Sequence, residues 1–191
     1  MGVYLSSPDT KKHSLDYENG RIRVGVSAMQ GWRLNMEDAH ITELDFDIDT
    51  SLFAVFDGHG GEEVAKFCAK KFGSHLKKNQ KYQMGKYEDA LIDTFLLMDK
   101  LISCPEGQAE LRQLKTEKGG EMQAGCTANV LLMTKEMVYC ANAGDSRSVL
   151  YSNRKKFNFS HDHKPDNPTE RSRIQKAGGV VQFGRVNGNL N

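Results

Sequence analysis

The sequence lacks an excess of charge of either sign, since 26 Lys and Arg residues oppose 25 Asp and Glu residues among 191. The net charge of +1 excludes the strongly basic field typical of nucleic-acid binders, so no DNA or RNA partner is expected. It also lacks an apolar run long enough to cross a bilayer, and its N-terminus lacks the basic-then-apolar order of a secretory signal. Hydrophobic residues make up 38% of the chain, enough for the core of one domain. These features predict a cytoplasmic protein and do not exclude the nucleus.

Cysteine is scarce. The four cysteines are far apart in sequence, without a Cys-x-x-Cys pair and without histidine at the spacing of zinc ligands: Cys68, Cys104, Cys126 and Cys140. This excludes a disulfide-stapled scaffold and a sulfur-ligated zinc site, and it predicts reduced thiols.

A short targeting signal is present at the N-terminus. "MGVYLS" fits the Met-Gly-x-x-x-Ser pattern for myristoylation of Gly2, and Lys11 and Lys12 follow closely enough to assist at an anionic surface. Because such short patterns also recur by chance, the unmodified N-terminus stays an open alternative. A single acyl chain would give only weak, reversible membrane attachment.

Hydrophobic periodicity predicts an α+β protein. Alternation in "RIRVGVSAMQG" indicates a strand, and the continuous apolar run "SLFAVF" at 51–56 indicates a strand covered on both faces. Helical spacing follows in "EEVAKFCAKKFGSHL", with Glu62 and Glu63 at its start, and in "YEDALIDTFLLMDKLI". The polar stretch 103–123 is predicted to be mainly loop, with some helix around "QAELRQL". Three strands come next, and a last helix starts at Pro168. Several connections are too short for crossovers, so the sheets should be antiparallel.

The strand at 51–56 ends in "FDGHGG", where one acid, one histidine and three glycines fall within six residues. A plain turn, a phosphate cradle at the following helix and a metal site are the alternatives. Glycines let the backbone approach an ion closely. Glu62 and Glu63 already occupy the helix N-terminus, and the glycine spacing of phosphate-binding loops is absent, so the metal interpretation is favoured.

Two other acidic clusters are candidates for the same site. Glu37 and Asp38 in "GWRLNMEDAH" lie about twenty residues before Asp57, and such carboxylates suit hard cations such as Mg²⁺ or Mn²⁺. Asp145 in "ANAGDSR" lies in a tight turn between two strands. Taken singly, each acid is equally compatible with a solvated surface group or an ordinary turn residue.

Together these segments resemble the metal-dependent serine/threonine protein phosphatases of type 2C. The resemblance rests on the order and approximate spacing of "RLNMED", "FDGHGG", "AGCTAN", "ANAGDSR", "DHKP", "RIQKAGG" and "RVNGNL". It implies an α-β-β-α sandwich, with two antiparallel sheets flanked by helices. It further implies a signalling hydrolase that removes phosphate from phosphoserine and phosphothreonine in phosphoprotein substrates, and that is a monomer when complete.

The resemblance also implies roles for individual residues. Asp57 would bridge two Mg²⁺ or Mn²⁺ ions and Gly58 would offer its carbonyl, while Glu37 and Asp38 would hold the second ion directly or through water. Asp145 matches an aspartate linked to a third, weaker metal site. Arg33 would bind the substrate phosphate, a role suited to the planar, two-pronged guanidinium group. His59 would protonate the leaving oxygen, a role suited to a side chain with a pKa near neutrality. For His59 and Asp145, a purely loop-ordering role is the alternative. Cys126 stands where serine or threonine is usual and would only start a packed strand, and "SHDHKP" would form a structural turn.

The chain stops at Asn191, where members of that family continue with further metal-binding aspartates and closing strands. Residues 21–191 are therefore interpreted as the N-terminal two-thirds of a type 2C catalytic domain that is C-terminally incomplete. Residues 1–20 are interpreted as a separate N-terminal segment that carries the myristoylation pattern. Weaker metal binding and uncovered apolar faces are expected. The main hypothesis is a protein phosphatase. The alternatives are a catalytically inactive relative that binds phosphoprotein partners and an unrelated glycine-loop nucleotide binder.

Overall fold

The computed structural model describes residues 4–115, 124–188 and 190, so Gly2 and residues 116–123 lie outside the described part. The strands are β1 Tyr4–Glu18, β2 Arg23–Arg33, β3 Ala39–Asp47, β4 Thr50–Phe56, β5 Gly58–His59, β6 Gly125–Cys126, β7 Ala128–Met133, β8 Val138–Ala143, β9 Val149–Ser152, β10 Lys155–Asn158, β11 Val181–Gln182 and β12 Arg185–Val186. The helices are α1 Glu63–Lys78, α2 Gln80–Gln83, α3 Tyr87–Ser103, α4 Pro105–Leu114 and α5 Pro168–Lys176. Among the described residues, no helix is long and apolar enough to cross a membrane.

A four-stranded antiparallel sheet in the order β3-β4-β7-β8 forms the centre of the molecule. Its central strand β4 pairs antiparallel with both β3 and β7. Ala54 of β4, for example, lies opposite Ile41 of β3 and opposite Val130 of β7. Every second residue of β4, namely Leu52, Ala54 and Phe56, is buried on one face. The strand predicted from "SLFAVF" is therefore confirmed, as is the antiparallel α+β class.

The helices pack on that buried face. Phe67, Cys68, Phe72 and Leu76 of α1 are buried at helical spacing and join the core cluster that contains Leu52 and Phe56. Helix α3 contributes Leu91 and Met98 to the same cluster and places Phe95 edge-on to Phe72, with ring centroids 5.5 Å apart. Both predicted helices are confirmed.

The helix predicted around "QAELRQL" is confirmed as α4, which begins three residues earlier, at Pro105, so the prediction of a loop is wrong for 105–107. Pro105 occupies the first turn, where its missing N–H costs nothing, and the Cys104 side chain caps the helix by accepting from Gly107 N. Leu111 is fully buried in the core, so tertiary packing holds a helix whose sequence pattern is short and polar. Residues 116–123, the rest of that predicted loop, lie outside the described residues.

The second face of the central sheet is only partly covered. A cavity of about 550 Å³ lies between β2 and this face, lined by Val24 and Val26 on one side and by Phe53, Val55 and Leu131 on the other. Val55 is 47% exposed. The expectation that 51–56 is covered on both faces is therefore wrong for this second face.

Residues within the predicted N-terminal segment 1–20 form a strand where they are described. β1 pairs antiparallel with β2 from Tyr4 opposite Arg33 to Glu18 opposite Arg23, with shifts in register near Asp9. The chain from Tyr4 to Glu18 is thus part of a hairpin that leads directly into the strand ending at Arg33.

Candidate functional site

Asp57 is the single residue between β4 and β5, at the point where the central strand leaves the sheet. Its backbone N–H donates to Thr127 Oγ1 over 3.1 Å, and its carbonyl accepts from Thr127 N over 2.8 Å. Thr127 Oγ1 is also 2.7 Å from Ser146 Oγ. Thr127 therefore ties the end of β4 to the loop that carries Asp145. Sequence reasoning treated "GCTAN" only as a strand start and missed this contact, which depends on pairing between segments 70 residues apart in the chain.

Gly58 is buried between two backbone segments. A Cβ at this position would overlap the Glu37 carbonyl oxygen and would lie 3.0 Å from both Glu37 Cβ and the Gly61 carbonyl oxygen. Gly58 pairs in register with Cys126, while His59 pairs with Gly125. The "FDGHGG" turn thus needs glycine at 58 for close approach to the Glu37 backbone, whereas the predicted approach of the Gly58 carbonyl to an ion stays a prediction.

The carboxyl groups of Asp38 and Asp57 meet at this turn. The pKa of Asp38 is raised, first by partial burial of its carboxyl group, then by the negative charge of Asp57 and by a hydrogen bond between the two side chains. Arg33 acts in the opposite direction, and Glu37 adds to the rise. Two neighbouring carboxyl groups repel each other when both are ionised, so this site favours a bound cation or a proton shared between them.

Arg33 and Glu37 flank these two acids. Arg33 is the last residue of β2, and its Nη2 atom lies 3.6 Å from Glu37 Oε2. The arginine side chain is 67% exposed, whereas that of Glu37 is 17% exposed. This pair leaves most of the guanidinium free to bind a second anion. The structure thus brings together four predicted residues: Arg33, Glu37, Asp38 and Asp57.

Asp145 lies in a separate polar network. Its Oδ2 atom accepts from Lys164 Nζ over 3.3 Å, and the neighbouring Arg147 donates two hydrogen bonds of 2.9 and 2.7 Å to Asp162. His163 N donates to the Gly144 carbonyl over 2.9 Å. "SHDHKP", predicted to form a structural turn, is therefore a connecting segment whose side chains and backbone hold the Asp145 loop. Ser146 and Arg147 line the same 550 Å³ cavity as Asp38 and Asp57, whereas Asp145 does not line it.

His59 faces a different cavity from Asp38 and Asp57. Its imidazole ring packs against Gly125, where a Cβ would meet Nε2 at 2.5 Å. It lines a space of about 510 Å³ together with Phe56, Cys68 and Cys126, on the helical side of the central sheet. The structure thus does not place His59 in the cavity of the two aspartates, and the proton-donor role stays a prediction.

Glu63 is a charged residue that the sequence placed at the N-terminus of the helix, without any indication of its burial. It is 1% exposed, and within the described residues its Oε1 atom is buried without a hydrogen-bond partner. The carboxylate occupies the space that a Cβ at Gly61 would need, and the φ of +140° at Gly61 is itself one that favours glycine. Glu63 lines a cavity of about 490 Å³ together with Glu37. Helix periodicity could have signalled this burial, because Glu63 is adjacent to the buried Val64 and four residues before Phe67.

The donor atoms suit a hard divalent cation. In residues 4–115, 124–188 and 190, no three His, Cys, Asp or Glu side chains already stand close enough to hold one metal ion. Nevertheless, the carboxyl groups of Asp38 and Asp57 line the same cavity and offer oxygen ligands, and a bound cation would offset both the burial and the Asp57 charge that raise the pKa of Asp38. The residues present therefore fit Mg²⁺ or Mn²⁺ better than a soft metal.

Comparison with known proteins gives a consistent result. The family model described as "Protein phosphatase 2C" matches residues 22–191. Protein phosphatase 2C 1 of Paramecium tetraurelia is 54% identical over the whole chain, and probable protein phosphatase 2C 21 of Arabidopsis thaliana is 42% identical. The chain spans 64% of the length of each of these two relatives.

Solved structures support the fold. A serine-threonine phosphatase 2C from Toxoplasma gondii superposes with a TM-score of 0.66 at 18% identity, covering 95% of this chain and 60% of that one. A C. elegans sex determining protein gives a TM-score of 0.69 at 23% identity, covering 98% of this chain and 43% of that one. At these identities the likeness concerns the fold alone, and the matching architecture agrees with the antiparallel sheets and packed helices described above. The family model and the closely related sequences together show that this chain belongs to the protein phosphatase 2C family.

Proposed function

We propose that the chain provides the phosphate-binding and metal-binding part of a metal-dependent protein serine/threonine phosphatase. The observation that supports this best is the convergence of Arg33, Glu37, Asp38 and Asp57 where β2 and β4 end. A cationic fork beside a pair of carboxyl groups can bind a phosphoryl group while the carboxylates hold a cation. The relatives are named as phosphatases and do not favour the alternative of a non-catalytic binder of phosphoproteins.

In this proposal Glu37, Asp38, Asp57 and the Gly58 carbonyl would hold Mg²⁺ or Mn²⁺ ions, and Asp145 would serve a third ion. When bound, such ions lower the pKa of a coordinated water and offset charge on the phosphoryl group. Partial burial, followed by the nearby Asp57 charge, raises the pKa of Asp38 and favours its neutral form. Because only the carboxylate can act as a ligand, Asp38 must lose any proton it holds when the ion binds.

Arg33 orients the substrate. Its exposed guanidinium is linked to Glu37 by a long contact of 3.6 Å, so a phosphate group can replace this contact and accept two parallel N–H bonds. Phosphoserine and phosphothreonine in proteins are the proposed substrates. Localisation in the cytoplasm is a further proposal. Reversible membrane attachment through an acylated Gly2, which lies outside the described residues, is another.

The test is phosphate release from a phosphothreonine peptide by the purified chain with Mn²⁺, with an Asp57→Asn variant as the control. We expect release that depends on Mn²⁺, stops with a chelator and falls to background in the variant. Calorimetry with Mn²⁺ on both proteins separates binding from turnover. Equal release by both proteins would refute the assignment of Asp57.

A further inference from the structure

Two cysteines from distant parts of the sequence lie side by side. Cys68 belongs to α1 and Cys126 to β6, and the Cys126 Sγ atom lies 3.9 Å from the Cys68 Sγ atom. Cys68 is 4% exposed, whereas Cys126 is partly exposed. The other two thiols have different partners: Cys104 Sγ donates to the Leu101 carbonyl over 3.1 Å, and Cys140 lies beside Ser148.

A small molecule can reach both sulfur atoms. Cys68 and Cys126 line the 510 Å³ cavity on the helical side of the sheet, where Phe56, Phe72 and Phe95 form part of a mainly apolar wall. A water molecule occupies about 30 Å³ in the liquid, so a hydroperoxide fits easily in such a space. The cavity therefore offers an oxidant access to a thiol pair whose cysteines do not meet in sequence.

We propose that Cys68 and Cys126 are an oxidative modification site, at which a hydroperoxide converts the two thiols into a reversible disulfide. One thiolate attacks the terminal oxygen of hydrogen peroxide, which gives a sulfenic acid and releases water after proton transfer. The second thiol then attacks the sulfenic sulfur, the S–S bond forms, and a second water leaves. Two thiols are oxidised and one peroxide is reduced, and a dithiol reductant reverses the change.

The disulfide would act on the candidate metal site through the backbone. The sulfurs are 3.9 Å apart and a disulfide bond is about 2.05 Å long, so they must approach each other by about 1.9 Å. Cys126 pairs in register with Gly58, and the next residue, Thr127, donates from its backbone N–H to the Asp57 carbonyl over 2.8 Å. Movement of β6 toward α1 therefore pulls directly on the turn that carries Asp57 and Gly58. This second part of the proposal rests on the metal-binding function proposed above.

Reaction with peroxide should be slow. The pKa of the Cys126 thiol is raised well above its usual value by the hydrogen bond to Cys68 and by burial, so little thiolate is present at neutral pH. The pairing is thus suited to sustained oxidation and not to rapid peroxide sensing.

The experiment exposes the reduced, folded chain to hydrogen peroxide, blocks remaining thiols, and maps the peptides without reduction. We expect loss of two thiols per chain, a cross-linked peptide pair containing Cys68 and Cys126 that is two hydrogens lighter, and recovery with dithiothreitol. A Cys104→Ser/Cys140→Ser double variant, the matched control, should behave in the same way. Cys126→Ser and Cys68→Ala should each abolish the cross-link, and either alone suffices should the other fail to fold.

The outcomes separate the two parts of the proposal. Absence of the Cys68–Cys126 peptide, or a pairing that involves Cys104 or Cys140 in the folded chain, overturns the modification site. With the cross-link in place, Mn²⁺ affinity measured by calorimetry should fall about tenfold or more, as for other disturbed supporting contacts of metal ligands. An unchanged affinity overturns the coupling to the metal site. If the reduced chain binds no Mn²⁺, the proposed function fails while peptide mapping still decides the disulfide.

Discussion

Replacing Gly58 with alanine tests whether the metal-binding turn depends on backbone contact with Glu37. The added Cβ would overlap the Glu37 carbonyl oxygen and would lie 3.0 Å from the Gly61 carbonyl oxygen, against 3.4–4 Å for ordinary van der Waals contact. Both neighbours are backbone atoms, which cannot rotate away as a side chain can. The end of the turn must therefore move by at least a few tenths of an ångström at both contacts.

The matched control is Gly20→Ala. No atom lies within 4 Å of a Cβ at Gly20, and its φ is not in the left-handed region, so alanine there should be neutral or should stabilise the chain by about 0.4–1 kcal/mol. Overpacking at Gly58 should lower the free energy of unfolding by about 1–3 kcal/mol. The two variants should therefore differ by at least about 1 kcal/mol.

Urea unfolding followed by circular dichroism measures this difference, and thermal unfolding should show it as a difference in melting temperature of at least roughly 2–4 °C in a domain of this size. Mn²⁺ titration of the same proteins should show weaker binding for Gly58→Ala alone. If Gly58→Ala were as stable as Gly20→Ala within about 0.5 kcal/mol, the close approach of Glu37 and Gly58 would be refuted.

Three further predictions concern single side chains. Arg33→Lys should weaken the binding of inorganic phosphate to the Mn²⁺-loaded chain roughly tenfold, because lysine cannot form the bidentate contact; calorimetry that finds equal affinity would contradict the role of Arg33. Glu63→Gln should raise the free energy of unfolding by about 1 kcal/mol, since it removes a buried charge whose Oε1 has no partner within the described residues. The control Glu62→Gln should lower the free energy of unfolding slightly, because it removes the ion pair with Lys66. A lower free energy of unfolding for Glu63→Gln, measured with urea, would count against this reasoning. Burial, followed by the Asp47 charge, raises the pKa of Tyr82 above its ordinary 10.0. The contribution of the neutral Tyr82 to stability is therefore complete below pH 10 and is lost as the pH rises through the raised pKa of the folded state. Tyr82→Phe should reduce this alkaline fall in the free energy of unfolding, and an identical fall in both proteins would refute the prediction.

Local patterns were sufficient to predict many elements. The alternation before Arg33, the apolar run at 51–56 and the helical spacing from Val64 to Leu76 each match an observed element, because the pattern of burial repeats within a single segment. The first turn of helix α4, before the helix predicted around "QAELRQL", was missed, since this ten-residue polar segment is held by the burial of Leu111 against other elements and not by its own propensity.

The candidate site was predicted in part. Glu37, Asp38 and Asp57 could be selected because carboxylates and glycines at strand ends carry a chemical meaning of their own, and the resemblance to type 2C phosphatases added Arg33 to them. The support from Thr127 and the burial of Glu63 were missed, as these depend on which segments pack together.

The sequence by itself determined the kind of elements, the family and the residue types available for metal and phosphate binding, because these follow from short-range periodicity and from motifs. Only the tertiary structure decided that Asp38 meets Asp57, that His59 faces the helical cavity instead, and that Cys126 lies 3.9 Å from Cys68. The physical reason is that strand pairing and helix packing join residues up to 70 positions apart, and no local pattern encodes which partner each of them meets.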